Sequence, residues 1–129
     1  MGATIATGSH SENVSMHMQQ TIHDGVTVVA PAGRIDTTTS GRFEETVRRT
    51  VDEGVRNLVI DFSHVEYISS AGLRVLLVLA KRMRDLQGRL VLCSMPESVR
   101  QVFRLAGFMP LFTVETSQEA ALATFAAGA

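Results

Sequence analysis

The sequence holds a single cysteine, Cys93, in 129 residues, so no internal disulfide is available to the fold. That thiol lies inside the apolar run Leu90-Val-Leu-Cys93, where a buried, reduced side chain is the plain reading. An excess of either charge is also missing. Twelve Lys and Arg against thirteen Asp and Glu give a net charge of −1, without the basic surplus that phosphate-backbone binding draws on, so direct nucleic-acid binding is excluded. No stretch approaches the ~20 apolar residues that span a bilayer, which excludes direct membrane insertion. Met1 to Ser15 lacks the basic start and apolar middle of a secretory signal, and the chain reads as cytoplasmic. Charged residues make up 19% of the chain, hydrophobic residues 45%, and mean hydropathy is +0.14, a balance that supports a packed core rather than disorder. One domain is expected, with residues 1–14 as a flexible N-terminal extension and 15–129 as the domain. Gly8-Ser9-His10 in that extension fits either a cloning remnant or a polar native segment.

What is present alternates between strand and helix signals. Residues 15–23 and Val26-Thr-Val-Val-Ala30, joined by the turn pair Asp24-Gly25, predict a hairpin. Pro31 to Gly33 should interrupt the second strand, with Arg34-Ile-Asp36 a further extended piece. Thr37-Thr-Thr-Ser40 then offers caps to a helix over 40–53, with Phe43, Val47 and Val51 inward and Gly54 at its end. Asn57 to Phe62 reads as a central strand. A short loop should lead straight into a long helix that ends at Gly88, whose core stripe is Leu73, Leu76, Leu77, Ala80 and Met83, leaving Val75, Val78 and Leu79 at its margins. Residues 89–94 form the next strand, and Pro96 suits the first position of a helix turning Val99, Val102, Phe103 and Ala106 inward and closed by Gly107. Leu111 to Val114 predicts a last strand, and Thr116-Ser-Gln-Glu119 a capping box that opens a last helix. The fold class is therefore α/β, a mixed sheet with parallel later strands.

Enzymatic motifs are scarce. His10, His17 and His23 fall in the tail or first strand and His64 lacks a second ligand at helical spacing, which disfavours zinc. Ser70-Ala-Gly72 is half of a nucleophile elbow, but Ile68 stands where that motif needs its first glycine. There is no Walker-type loop and no Gly-x-Gly-x-x-Gly, so nucleotide cofactors have no motif to hold them and none is expected. Asp36, Asp61 and Glu66 could gather near strand ends, although carboxylates there commonly cap turns.

The informative segment is Asp61-Phe-Ser-His-Val-Glu-Tyr-Ile-Ser-Ser-Ala-Gly-Leu-Arg-Val-Leu-Leu77, in which Ser69 and Ser70 sit at a helix entrance. A hydroxyl there can cap free backbone N–H groups, and capping alone explains a serine. The same place suits a phosphoserine, because the helix amino end presents donors and partial positive charge. An added charge of about −1.5 to −2 would then act on whatever docks over the loop.

This segment resembles the signature of STAS domains, specifically bacterial anti-sigma factor antagonists. Gly33-Arg-Ile-Asp36 resembles the family's entry to its first helix, Gly88-Arg-Leu-Val-Leu-Cys93 its strand after the second, and the likeness spans about residues 15 to 127. The resemblance implies a single STAS domain with helices mainly on one face, acting as a binding protein and not an enzyme. Its partner would be an anti-sigma factor that is also a serine kinase of the histidine-kinase-like ATPase fold. The unphosphorylated antagonist binds it and frees a sigma factor, phosphorylation reverses this, and a PP2C-type phosphatase restores the active form. By position the phosphorylated serine is Ser70. Ser69 stands where many members carry aspartate and is the alternative site. The implied docking surface takes in Asp36, Thr37, Thr38, Ser69, Ser70, Ala71, Gly72, Arg74, Val75 and Val78. The competing reading is a STAS scaffold or regulatory subunit of a signalling or membrane-transport assembly that does not switch.

Overall fold

Alternation of apolar side chains along the strands sets the layers. A computed structural model describes residues 16–127; the extension expected over 1–14 lies outside the described residues. β1 (Met16–His23) and β2 (Val26–Ile35) form the expected hairpin, with Asp24 and Gly25 both at positive φ in its turn. β3 (Asn57–Asp61), β5 (Arg89–Cys93) and β6 (Thr113–Glu115) extend the sheet in parallel, in the order β1-β2-β3-β5-β6. β4 (His64–Ile68) pairs with the far half of β2. Val29, Leu58, Ile60 and Leu92 face one side of the sheet, where α1 (Ser40–Asp52), α2 (Ser70–Asp85) and α3 (Glu97–Leu105) cover them with Phe43, Val47, Leu76, Met83 and Phe103. Their neighbours Val28, Val59, Val91 and Cys93 face the other side, under Ala121 and Phe125 of α4 (Gln118–Ala127). Helices thus lie mainly on one face.

Cys93 is buried as expected. Desolvation, with smaller contributions from the nearby Asp61 and Glu115 carboxylates, pushes its thiol up to about 11, against a hydrogen bond with Ser94 that acts the other way. At neutral pH it is a protonated core side chain.

Several elements differ from the sequence reading. Pro31 does not interrupt β2, because it falls between the two parallel ladders, after Val29 pairs with Ile60 and before Ala32 pairs with His64. β4 replaces the expected loop. Its burial follows no two-residue period, with Val65 and Ile68 buried and Glu66 and Tyr67 exposed, because the β2–β4 register shifts at Gly33/Arg34. In α2 the buried stripe is Leu73, Val75, Leu76, Leu79 and Met83, whereas Leu77 is exposed and Ala80 half-buried. The leucine-rich run is apolar on every side, so periodicity does not fix which side turns inward. Pro96 is the N-cap of α3 rather than its first residue, and Ala106, just past the helix, is exposed. Leu111 closes a 3-10 turn (Met109–Leu111), which delays β6 to Thr113. The cap of α4 is Ser117, whose Oγ accepts from Ala120 N at 3.0 Å, and not Thr116.

Candidate functional site

β2 and β4 end side by side, Ile35 opposite Ile68. The next residue of each chain segment, Asp36 and Ser69, therefore emerges at the same end of the sheet, and Ser69 N donates to Ile35 O at 2.8 Å to hold the two exits together. α2 starts from that point, so its amino end lies at the carboxyl end of parallel strands, where α/β sheets characteristically present their sites.

The two serines have different roles. Ser69 has extended φ and ψ of −93° and 174°, is buried, and its Oγ accepts from Gly72 N at 3.3 Å, while its carbonyl accepts from Leu73 N. It is the N-cap of α2. Ser70, the first helical residue, is exposed. The capping reading of the sequence thus applies to Ser69 and leaves the Ser70 hydroxyl at the surface.

Gly72 allows α2 to begin so close to the sheet. A Cβ there would stand 2.7 Å from Ile35 Cγ2 and 2.8 Å from Ile68 Cγ1, both belonging to fully buried side chains. The glycine is needed for close approach, not for an unusual backbone angle.

Asp36 organises the facing loop. Its Oδ1 accepts from Thr38 N at 3.0 Å and Thr38 Oγ1 at 2.7 Å, its N–H donates to Thr39 Oγ1 at 2.9 Å, and its carbonyl accepts from Ser40 N at 2.8 Å. This is the reciprocal pattern of a capping box, with Asp36 closing the turn that feeds α1. The threonine cluster was expected to cap α1, but Thr39, at the N-cap, makes no side-chain bond into the helix and instead donates to Arg34 O. Hydrogen bonds from the Thr38 hydroxyl and N–H hold the Asp36 carboxyl below its ordinary 3.8. The side chain remains partly exposed, with Oδ2 3.6 Å from Arg34 Nε.

Asp36, Thr37, Thr38, Ser69, Ser70 and Ala71 are thus brought to one end of the molecule from two distant stretches of sequence, and all but Ser69 keep exposed or half-exposed surface. Arg74 and Val78 continue outward along the exposed side of α2. Gly72 and Val75 do not join them: both are buried, with Val75 part of the core under α2, so neither offers contact surface. Two residues of this end escaped the sequence reading. Arg34 places its guanidinium 4.6 Å over the Tyr67 ring and its Nε 3.6 Å from Asp36 Oδ2, a stack that borders the Asp36 loop. The available signal was the position of Arg34 two residues before Asp36 at a strand end. Tyr67 had none, because β4 itself was not recognised. Among the described residues no group of three or more His, Cys, Asp or Glu side chains could hold a metal ion, and no helix is long and apolar enough to cross a membrane.

Comparison with known proteins agrees with this fold. BtrV of Bordetella bronchiseptica, named as an anti-sigma factor antagonist, is 42% identical over 102 residues, which covers 79% of this chain and 88% of the relative. The crystal structure of an anti-sigma factor antagonist from Mycobacterium paratuberculosis matches with a TM-score of 0.79 at 28% identity, over 85% of this chain and 93% of that one. The unphosphorylated form of the antagonist SpoIIAA shares the fold, with a TM-score of 0.74 at 18% identity over 86% of this chain and 97% of the other; a phosphorylated form of this Bacillus protein has also been solved. The STAS domain profile matches residues 17–121, most of the described sheet and its helices, and the chain belongs to the STAS domain family.

Proposed function

We propose that this protein is an anti-sigma factor antagonist whose Ser70 is the phosphorylated switch. In the unphosphorylated state it binds an anti-sigma factor that is also a serine kinase of the histidine-kinase-like ATPase fold, and a sigma factor is released. ATP belongs to that kinase, so the chain itself needs no cofactor. Phosphate on Ser70 ends the complex and a PP2C-type phosphatase restores it, all in the cytoplasm. The observation that carries this reading is the separation of roles at the α2 entrance, where Ser69 is consumed as a buried cap and Ser70 stands exposed beside the Asp36 loop. A kinase can reach Ser70 without opening the fold. The docking surface is Asp36, Thr37, Thr38, Ser70, Ala71, Arg74 and Val78. The relatives' names as antagonists support the same function.

The test is to incubate the protein with ATP and each ATPase-fold kinase encoded by its source genome, then locate phosphate by intact mass and peptide fragmentation and measure partner binding. Phosphate on Ser70 with loss of binding is the expected result. Stable binding that is unchanged in Ser70→Ala and Ser70→Asp sinks the switch in favour of a scaffold, and exclusive labelling of Ser69 assigns the wrong hydroxyl.

A further inference from the structure

The exposed side of α2 that begins at Ser70 runs on through Arg74, Leu77 and Val78 to Lys81, about 16 Å along the helix axis at ~1.5 Å per residue. It ends on a groove of about 690 Å³ between the last turns of α2, the starts of β5 and β6, and the 3-10 turn. The connection from β5 to β6 leaves this space open. α3 has only nine residues and packs against β4, and among the described residues no α-helix other than α2 lines the groove.

The walls are apolar and the rim is positive. Leu77 and Val78 form one wall and Leu111 the other, at 40%, 57% and 55% exposure, with Leu90 facing α2 at the floor. Lys81 and Arg84 stand on the α2 rim, and neither is among the ion pairs formed by the described residues, although Arg82 between them binds Asp52 at 2.6 Å. Arg89 lends only its stem, since its guanidinium is turned over Phe125 and donates to Thr124 O. Among the described residues no Asp or Glu lines the groove, in a chain whose net charge is −1.

We propose that this groove receives an amphipathic helix of a protein partner, apolar on the side that seats between Leu77, Val78 and Leu111 and acidic where it passes Lys81 and Arg84. The charge complement selects the occupant, since a neutral or basic helix would leave both cations desolvated and unpaired. The contact adjoins the proposed switch surface only at Val78, about 12 Å along α2 from Ser70, so it holds a partner whether or not Ser70 is modified, and it does not rest on the switch proposed above.

The experiment uses the full-length ¹⁵N-labelled protein and two synthetic helical peptides with the same leucine spacing, one with glutamates at its remaining positions and one with lysines. The acidic peptide should shift the amide resonances of Leu77, Val78, Lys81, Leu90 and Leu111, and the basic peptide should not. The double variant Lys81→Glu/Arg84→Glu, confined to surface side chains, should keep its thermal midpoint, bind the acidic peptide roughly tenfold or more weakly, and gain binding of the basic one. Ser70→Asp should bind like the parent, which separates failure of this proposal from failure of the switch. The proposal is overturned if the acidic peptide leaves these resonances in place, if both peptides bind alike, or if the double variant binds as the parent does. It is equally overturned if the same resonances report self-association on dilution, or respond to phosphatidylglycerol vesicles and not to the peptide.

Discussion

Ser69 and Ser70 carry the same side chain one residue apart, and the start of a helix gives them different chemistry. The extended backbone of Ser69 aims its hydroxyl at Gly72 N, whereas Ser70 is already helical and its side chain leaves the turn for solvent. Ser69→Ala should therefore cost about 1 kcal/mol in urea unfolding, and Ser70→Ala less than ~0.5 kcal/mol, while only the second abolishes phosphoryl transfer. The reverse ranking of stabilities would mean that the cap has been misassigned. Asp36 also combines a structural and a surface role, and substitution can separate them. Asparagine keeps the cap and removes the charge, so Asp36→Asn should unfold at nearly the same urea concentration as the parent, whereas Asp36→Ala, which loses the acceptor for the Thr38 N–H and hydroxyl, should unfold at a lower one. If the charge contributes to docking, both variants bind partner more weakly by titration calorimetry; equal binding by Asp36→Asn and the parent would confine the residue to its turn. Because the folded carboxyl is held below its ordinary 3.8, its contribution to stability is present above that pH and fades as the pH falls through the lowered value. Denaturation curves between pH 5 and about pH 2 should show this loss in the parent and not in Asp36→Asn.

At the scale of elements, the entrance of α2 is fixed by Gly72 resting on Ile35 and Ile68. Both contact atoms lie near the branch points of fully buried side chains, so neither can swing aside cheaply. Gly72→Ala should lower stability by about 1–3 kcal/mol through overpacking, and a displaced helix entrance should slow phosphorylation of Ser70 as well. A variant of unchanged stability and rate would show that the helix start tolerates a methyl group there. The same region shows how far sequence patterns reach. α1 was legible because Phe43, Val47 and Val51 recur at helical spacing on an otherwise polar helix, and β3 because its apolar run is too short for a typical helix and reads best as a buried strand. α2 was legible as a helix and partly in its orientation: Leu73, Leu76 and Met83 turn inward as read, but Leu77 and Ala80 were read in place of Val75 and Leu79 within a run that is apolar on every side. β4 was invisible for the opposite reason, having too few buried residues and a register shift in place of a period. Of the site, the serine pair could be read locally, whereas Gly72 was read as docking surface and its close approach to Ile35 and Ile68 appears only in the fold. The approach of Asp36 to the serines could be named only by resemblance, because it depends on β2 pairing with β4, a contact between distant stretches that periodicity does not report.

At the scale of the molecule, the parts of the proposed switch are tied to the packed core, and this constrains how phosphate can act. Ser70 lies outside the core, its neighbour Ser69 and the Ile35–Ile68 pair anchor the helix start, and α4 packs on the opposite face of the sheet through Ala121 and Phe125. An added phosphate meets free N–H groups and the positive end of α2, interactions that stabilise a helix start rather than melt it. The switch should therefore work at the docking surface, by charge and by the shape of the α2 entrance, and not by unfolding. A hundredfold loss of affinity needs only about 2.7 kcal/mol, within reach of one or two charge-assisted contacts turned unfavourable. Phosphorylated protein should accordingly keep the far-ultraviolet circular dichroism spectrum of the unmodified chain and a thermal midpoint equal to it or slightly higher, while its partner affinity falls by about a hundredfold or more. Hydrogen exchange should change only near residues 36–38 and 69–74, leaving the amides of β3, β5 and α4 as slow as before. Faster exchange across the central strands, or a midpoint lowered by several degrees, would place the signal in a conformational change of the sheet and remove the account in which phosphate on Ser70 acts at the docking surface alone.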